Sequence, residues 1–383
     1  MRVMTFQGSV TDIGQAFGEA CREDIRALYE ARVANAIDQV KTHGAGRMAT
    51  EASVLDVARQ SVPWLARCYP RVFSELEGIA RGSGLSTEQA WALNNLTDLR
   101  DVLAYGAPDE GGCSAFVLPP GASASGSVLL GQTWDLATDN MPYVLVVDRR
   151  PDDAPRTVSM TLVGCLSLIG LNERGLAIGT TNLRATDARP GLGYLDLIHQ
   201  SLTHSVVEDA VAVIEGGPRA AAHFYYLADA HDHRALVECT ATRSRRLSAT
   251  HDLAATRDAA IQDVAPRSRI APDDWAQMPA VHCNHVLSDD LCSIEAETPP
   301  GSSRSRQTRL SALLTASARV GGGVTVEDLK AALSDHEGGP NAICRHDLNG
   351  ISSNASVIME PKARCLYAVQ GPACSGRWIE VRL

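Results

Sequence analysis

The hydrophobic period of this chain turns from helical to strand-like near residue 112, and that switch restricts the fold more than any other feature. Before it, residues 10–105 read as helical. Ile13, Phe17, Cys21, Ile25 and Leu28 recur at helical spacing, and Val54, Val57, Ala58, Val62 and Leu65 do so again. A further helix is expected over Arg71–Arg81, ended by Gly82-Ser83-Gly84, and Ser86-Thr87-Glu88-Gln89 is a capping box that opens the next. Met1–Phe6 reads as a first strand. After the switch, Val128–Trp134, Tyr143–Asp148, Thr157–Leu162, Ser167–Leu171 and Ala177–Thr181 are short β-rich runs between Gly, Pro and Asp turns. Helices return over 195–214, strands over 223–239, helices over 304–333, and strands close the chain from Ser356. The stretch 252–274 is polar and irregular. This order predicts an α+β fold of two antiparallel sheets stacked on each other, with helices outside.

The stretch around the switch, Asp109-Glu110-Gly111-Gly112-Cys113-Ser114-Ala115-Phe116, carries the chemistry. A cysteine at the first position of a strand, just behind Gly-Gly, is poorly placed for packing and well placed to attack the carbonyl of Gly112. Glycine has no Cβ to block that attack. If the Gly112–Cys113 bond breaks, Cys113 gains a free α-amine, whose ordinary pKa of about 7.7–8 suits a general base for the neighbouring thiol.

Four other segments can complete such a site. Gly131-Gln132-Thr133-Trp134-Asp135 ends the strand expected to return beside Cys113, so Asp135 can accept from and orient a terminal amine. Ala280-Val281-His282-Cys283-Asn284-His285 reads as an apolar strand in which Asn284 can donate to an oxyanion. A metal held by His282, Cys283, His285 and Cys292 is the rival reading. It is disfavoured, because the two imidazoles of a His-x-x-His strand point to opposite faces. Asn182 ends another strand as a second oxyanion donor, and Arg345 can bind a substrate carboxylate or brace the site. The basic run Arg304-Ser305-Arg306-Gln307-Thr308-Arg309 reads as a solvated helix start. His199, His204, His231, His233 and His251 find no partner by spacing.

Composition narrows the class of partner. A net charge of −10 argues against nucleic acid or an anionic membrane, and no apolar run reaches the length of a membrane span. Ten cysteines stand singly, with no C-x-x-C pair and no export signal, which predicts reduced thiols and a cytoplasmic location. Dinucleotide, phosphate-loop and serine-hydrolase signatures are absent.

Gly112-Cys113-Ser114, Gly131–Asp135, Gly170–Ala177 with Asn182, and His282–His285 occur in an order that resembles the acyl-CoA:6-aminopenicillanic acid acyltransferase family of N-terminal-nucleophile (Ntn) cysteine hydrolases, cousins of choloylglycine hydrolases. The resemblance extends over nearly the whole chain. It implies a four-layer αββα sandwich, self-cleavage before Cys113, and hydrolysis or transfer at linear amide bonds. Carried over, Cys113 is the nucleophile, Asp135 orients its amine, Asn284 and Asn182 serve the oxyanion, and Arg345 lies near the substrate; Ser114, Trp134 and Phe116, beside Cys113 and Asp135 in the chain, are further candidates for substrate contact. The chain departs from the family's acyltransferase at Ser114-Ala115, where that enzyme has Thr-Thr.

The expectation is therefore a helical leader, 1–112, and a catalytic chain, 113–383, that stay associated as one globular unit after cleavage. The expected activity is hydrolysis of a small N-acyl amide through a thioester, without metal or cofactor. Its alternatives are transfer from a thioester such as acyl-CoA to an amine, and a binding protein that kept the fold without the activity. Association with further copies of the chain is left open.

Overall fold

The computed structural model describes residues 1–44, 46–104, 112–247, 278–296, 302–319, 321–347 and 350–383. Asp109, Glu110 and Gly111, and the polar stretch 252–274, lie outside the described residues. Strand β1 (Arg2–Gly8) leads into helices α1 (Val10–Ala20), α2 (Arg22–His43), α3 (Glu51–Cys68), α4 (Pro70–Ser83), α5 (Thr87–Asn94) and α6 (Leu96–Ala104). The capping box forms as expected: Gln89 N–H donates to Ser86 Oγ at 3.2 Å, and Ser86 N–H donates to Gln89 Oε1 at 2.9 Å.

Strands then follow: β2 (Gly112–Leu118), β3 (Leu129–Ala137), β4 (Val144–Pro151), β5 (Thr157–Leu162), β6 (Ile169–Asn172) and β7 (Ala177–Asn182). Helices α7 (Tyr194–Ser201) and α8 (Val207–Gly216) precede β8 (His223–Ala228), β9 (Arg234–Cys239), β10 (Ser244–Arg246) and β11 (Ala280–His282). Helices α9 (Asp289–Cys292), α10 (Ser302–Arg319) and α11 (Val326–Leu333) lead to β12 (Ile351–Glu360), β13 (Cys365–Gln370) and β14 (Ile379–Arg382).

Two sheets result, in the orders β1-β4-β5-β6-β7-β8-β9-β10 and β11-β2-β3-β12-β13-β14. One pairing departs from the antiparallel expectation: β1 runs parallel to β4. Hairpin turns dictate direction only between neighbours in sequence. Helices α1–α6 separate β1 from β4, and so long a crossover permits a parallel pair.

Every residue of β2 is buried, because its sheet is covered on both faces. Cys113, Ala115 and Val117 belong to the core between the sheets, whereas Phe116 and Leu118 pack with Leu310 and Leu314 of α10 and Leu329 and Leu333 of α11. Contacts of α1 with β1 and β4, of α7 with β7 and of α8 with β9 cover the outer face of the eight-stranded sheet. The αββα sandwich is thus observed layer by layer.

The helices before β2 pack closely. A Cβ at Gly14 of α1 would lie 2.1 Å from the Glu75 carbonyl oxygen, and one at Gly82 of α4 would lie 2.2 Å from that of Gln15, so α1 and α4 meet backbone to backbone. A buried ionic cluster ties α4 to the sheet. Arg149 Nε donates to Glu75 Oε1 at 2.7 Å and Arg149 Nη2 donates to the Cys165 carbonyl at 3.0 Å, while His199 Nε2 lies 3.0 Å from Glu75 Oε2. Burial pushes the Glu75 carboxyl up, but His199 and Arg149 outweigh it and bring the pKa down to about 2. His199, which has no partner legible from spacing, has one here. Among the described residues no helix is long and apolar enough to cross a membrane.

Candidate active site

The β2–β3 hairpin sets the register Gly112↔Asp135 and Cys113↔Trp134. Directly paired residues share a face, so Cys113 and Trp134 look into the inter-sheet space together. They line one pocket with Asp135, Asn182 and Asn284, to which α6 contributes Thr97. Cys113, Asp135, Asn182 and Asn284, separate in sequence, are therefore gathered at one end of the sandwich.

The contacts refine their expected parts. The Cys113 backbone N–H donates to Asn284 Oδ1 at 2.8 Å. Asn284 Oδ1 also accepts from Arg306 Nη2 at 3.0 Å, and Asn284 Nδ2 donates to the Asn182 carbonyl at 2.9 Å. Two donors at the oxygen and an acceptor at the nitrogen fix the orientation of this amide. Asn182 holds Asn284 through its main chain.

Asp135 is buried and sits between two guanidiniums. Its Oδ1 accepts from Ser353 Oγ at 2.7 Å, and its Oδ2 lies 3.9 Å from Arg345 Nε. Burial pushes its carboxyl above the ordinary range, against Arg345, Arg306 and Ser353, which pull it down. Arg345 is 9% exposed, and its Nη2 donates to Ser302 Oγ. These contacts fit the bracing part expected of it.

Two expected substrate contacts face the wrong way. Ser114 and Phe116 alternate with Cys113 along β2, so they point to the opposite face of the sheet. Ser114 Oγ accepts from Arg306 Nη1 at 3.0 Å, and Phe116 is fully buried in the core beneath α10 and α11. Neither is positioned to touch a substrate that reaches Cys113. Trp134 is.

Arg306 corrects the reading of the basic run as a solvated helix start. It is 1% exposed and donates from Nη1 to the Cys113 carbonyl as well as to Ser114. It also accounts for Gly112: a Cβ there would lie 2.7 Å from Arg306 Nη2 and 2.9 Å from its Cζ. Its position two residues after Arg304 within a charged stretch gave no sign of this. Only the packing of α10 across β2 reveals it.

The loop that presents Asn284 is built on a buried carboxylate. Strand β11 stops at His282, so His282 and His285 do not alternate across a sheet as expected; their rings stack with centroids 6.5 Å apart. Each is committed to a neighbour rather than to a shared ion. Glu238 Oε1 lies 2.8 Å from His282 Nε2 and accepts from Leu287 N–H at 2.7 Å, while Oε2 accepts from Ser288 N–H at 3.0 Å and Ser288 Oγ at 2.6 Å. Burial raises the Glu238 pKa, and these partners together reverse the effect and leave it lowered. Ser303 Oγ accepts from Asn284 N–H at 2.8 Å and lies 2.7 Å from His285 Nδ1. His285 is driven down to about 3 by burial and by His282, so its ring is neutral where it meets Ser303 Oγ.

Gln132 also escaped sequence reading. Its Oε1 accepts from Thr180 N–H at 3.1 Å and from Tyr226 OH at 2.8 Å, joining β3 to β7 and β8 across the sandwich. That clamp sets the spacing of the sheets beside Cys113.

A cysteine opening an inner strand of an αββα sandwich is the architecture of the Ntn hydrolases. The family described as Acyl-coenzyme A:6-aminopenicillanic acid acyl-transferase matches residues 122–372, and the chain belongs to it. The match takes in Asp135, Asn182, Asn284 and Arg345, with Cys113 just before it. A curated relative, the Acyl-coenzyme A:6-aminopenicillanic-acid-acyltransferase 40 kDa form of Emericella nidulans, is 24% identical over 362 residues, 93% of this chain and 87% of that protein. Among solved structures, a conjugated bile acid hydrolase from Clostridium perfringens is similar over 71% of this chain and 97% of that one, with TM-score 0.43 and 9% identity. Penicillin V acylase from Agrobacterium tumefaciens is similar over 71% and 86%, with TM-score 0.43 and 16% identity.

Proposed function

We propose that this protein is a self-processing cysteine amidohydrolase that cleaves a linear amide of a small N-acyl substrate. The observation that carries the reading is the head of β2, where Cys113 follows a glycine, shares a pocket with Trp134 and Asn284, and has its nitrogen held by the Asn284 amide. In maturation the Cys113 sulfur adds to the Gly112 carbonyl carbon, the Gly112–Cys113 bond breaks, and the departing nitrogen takes up the thiol proton. Water then hydrolyses the thioester, leaving a Gly112 carboxylate and a free Cys113 α-amine.

In turnover that amine takes the thiol proton as the sulfur attacks the substrate carbonyl. Asn284 Nδ2 carries two protons. One goes to Asn182, and the other is assigned to the oxyanion. The amine nitrogen keeps its bond to Asn284 Oδ1, and Arg306 holds Cys113 and Asn284 in one frame. Asp135, braced by Ser353 and Arg345, supplies negative charge behind the new ammonium. The ammonium protonates the leaving amine, and water releases the acyl group. The leader stays bound, since Thr97 lines the pocket and Glu75 is locked to Arg149.

Intact mass under denaturing conditions tests maturation: active protein should give two chains that meet between Gly112 and Cys113, and Cys113→Ala should stay whole and inactive. A single uncut mass for active protein refutes the scheme. The family match supports a second reading, in which an amine rather than water resolves the thioester. Supplying an acyl-thioester with amine acceptors decides it, because transfer gives amide product in excess of free acid.

A further inference from the structure

Away from the pocket, four metal-ligating side chains converge on one point. His336 follows α11, Cys344 and His346 flank Arg345 ahead of β12, and Cys374 follows β13, yet one ligand atom from each lies within 4.8 Å of all the others. His336 Nε2 and His346 Nε2 are 3.0 Å apart, and His346 Nε2 is 3.2 Å from Cys374 Sγ. A ring nitrogen offers a single proton or a single lone pair, so His346 Nε2 cannot serve both neighbours well as a hydrogen-bonding partner. Lone pairs aimed at a common centre satisfy both contacts at once.

Two of the spacings fit the edges of a tetrahedron. With zinc–nitrogen and zinc–sulfur bonds of about 2.0–2.1 and 2.3 Å, the edges of a two-sulfur, two-nitrogen site are about 3.3 Å between nitrogens, about 3.5 Å between unlike atoms and about 3.8 Å between sulfurs. The two distances above are close to the first two edges. The group contains no carboxylate, and two thiolates with two imidazoles select a soft or borderline ion over magnesium or calcium.

We infer that His336, Cys344, His346 and Cys374 bind one zinc ion in a closed, structural site. Both cysteines bind as thiolates and release their protons to solvent. The ion staples the stretch from His336 to His346 to Cys374, beyond β12 and β13. It grips the residues on either side of Arg345, whose backbone N–H donates to Ser353 Oγ at 2.9 Å, the same hydroxyl that donates to Asp135. Zinc therefore holds the segment that braces the candidate active site, without taking part in its chemistry. The site stands independently of the proposed activity, because its ligands lie outside that pocket.

The test uses the full-length protein, stripped of metal by a chelator under reducing conditions and titrated with zinc against a chromophoric competitor. The expected result is about one zinc per chain, with cobalt(II) in its place giving thiolate charge-transfer and tetrahedral ligand-field bands. His336 and Cys374 are exposed, so His336→Ala and Cys374→Ser leave the core intact. Each should weaken zinc binding by more than about tenfold, since even the loss of a group that merely supports a ligand costs that much. Substoichiometric zinc in the reduced parent, affinity unchanged in both variants, or cobalt spectra without thiolate bands would each overturn the site.

Discussion

Gly112→Ala is the perturbation most directly calculable from the site. The φ of Gly112 is not in the left-handed region, so alanine is permitted there by the backbone and only its new methyl matters. That methyl would sit 2.7 Å from Arg306 Nη2, and Arg306 is too deeply buried to swing into solvent. The guanidinium must retreat, and the first contact to fail is Nη2 to Asn284 Oδ1, now 3.0 Å. A hydrogen bond to a charged group is worth about 1.5–3 kcal/mol, similar to the roughly 1–3 kcal/mol typical of overpacking. If that bond orients Asn284 during cleavage, the loss corresponds to about a 10- to 150-fold slower maturation. The rate is read as the uncut fraction against time, by intact mass, on freshly refolded chain. Arg306→Lys removes the planar fork that the methyl strikes, so Gly112→Ala should cost little more in that background. Parental maturation by Gly112→Ala, or a slowing of equal size with and without Arg306, would show that the guanidinium does not mediate the requirement for glycine.

Further outcomes follow from the same contacts. Glu75→Gln strands Arg149 without its anion and should destabilise the fold by about 3–5 kcal/mol, seen as a lower thermal midpoint and easier loss of the leader from matured protein. Acid should release the Asn284 loop: with His285 held near 3, the unfolded chain binds a proton that the folded one refuses, so stability falls as pH drops from about 6.5 towards 3. Glu238, lowered in the fold, adds stability that is present above its ordinary pKa and vanishes as pH falls through its depressed value; Glu238→Gln should flatten the acid limb of unfolding while weakening the protein at pH 7. Phe116→Leu should lower stability by about 1–1.5 kcal/mol without moving KM, whereas Trp134→Leu should move KM, as steady-state kinetics on one amide substrate would show.

What could be read in the chain was what lies close together along it. The change of period at residue 112 separates helices α1–α6 from the strands that follow, and Cys113 and Asp135 meet because a single hairpin joins them. Asn182, Asn284 and Arg345 stand out as polar residues at the ends of apolar runs. The missing parts arise only when distant segments close. Arg306 belongs to a stretch whose composition suits solvent, and it is buried because α10 lies across the outer face of β2. Phe116 was misassigned by proximity to Cys113, although strand alternation sends neighbouring side chains to opposite faces. His336, His346 and Cys374 carry no local signature, since the short loops that pair metal ligands in sequence are replaced here by the return of β12 and β13.

The parallel pairing of β1 with β4 has a consequence for how the molecule recovers from denaturation. In an uncut chain this edge strand is tethered, and its docking proceeds at a rate indifferent to dilution. If the proposed cut before Cys113 divides the polypeptide, the same strand and its helices must find their sheet by diffusion. Renaturation then becomes a second-order encounter, slower in dilute solution and open to exchange with leaders from neighbouring molecules.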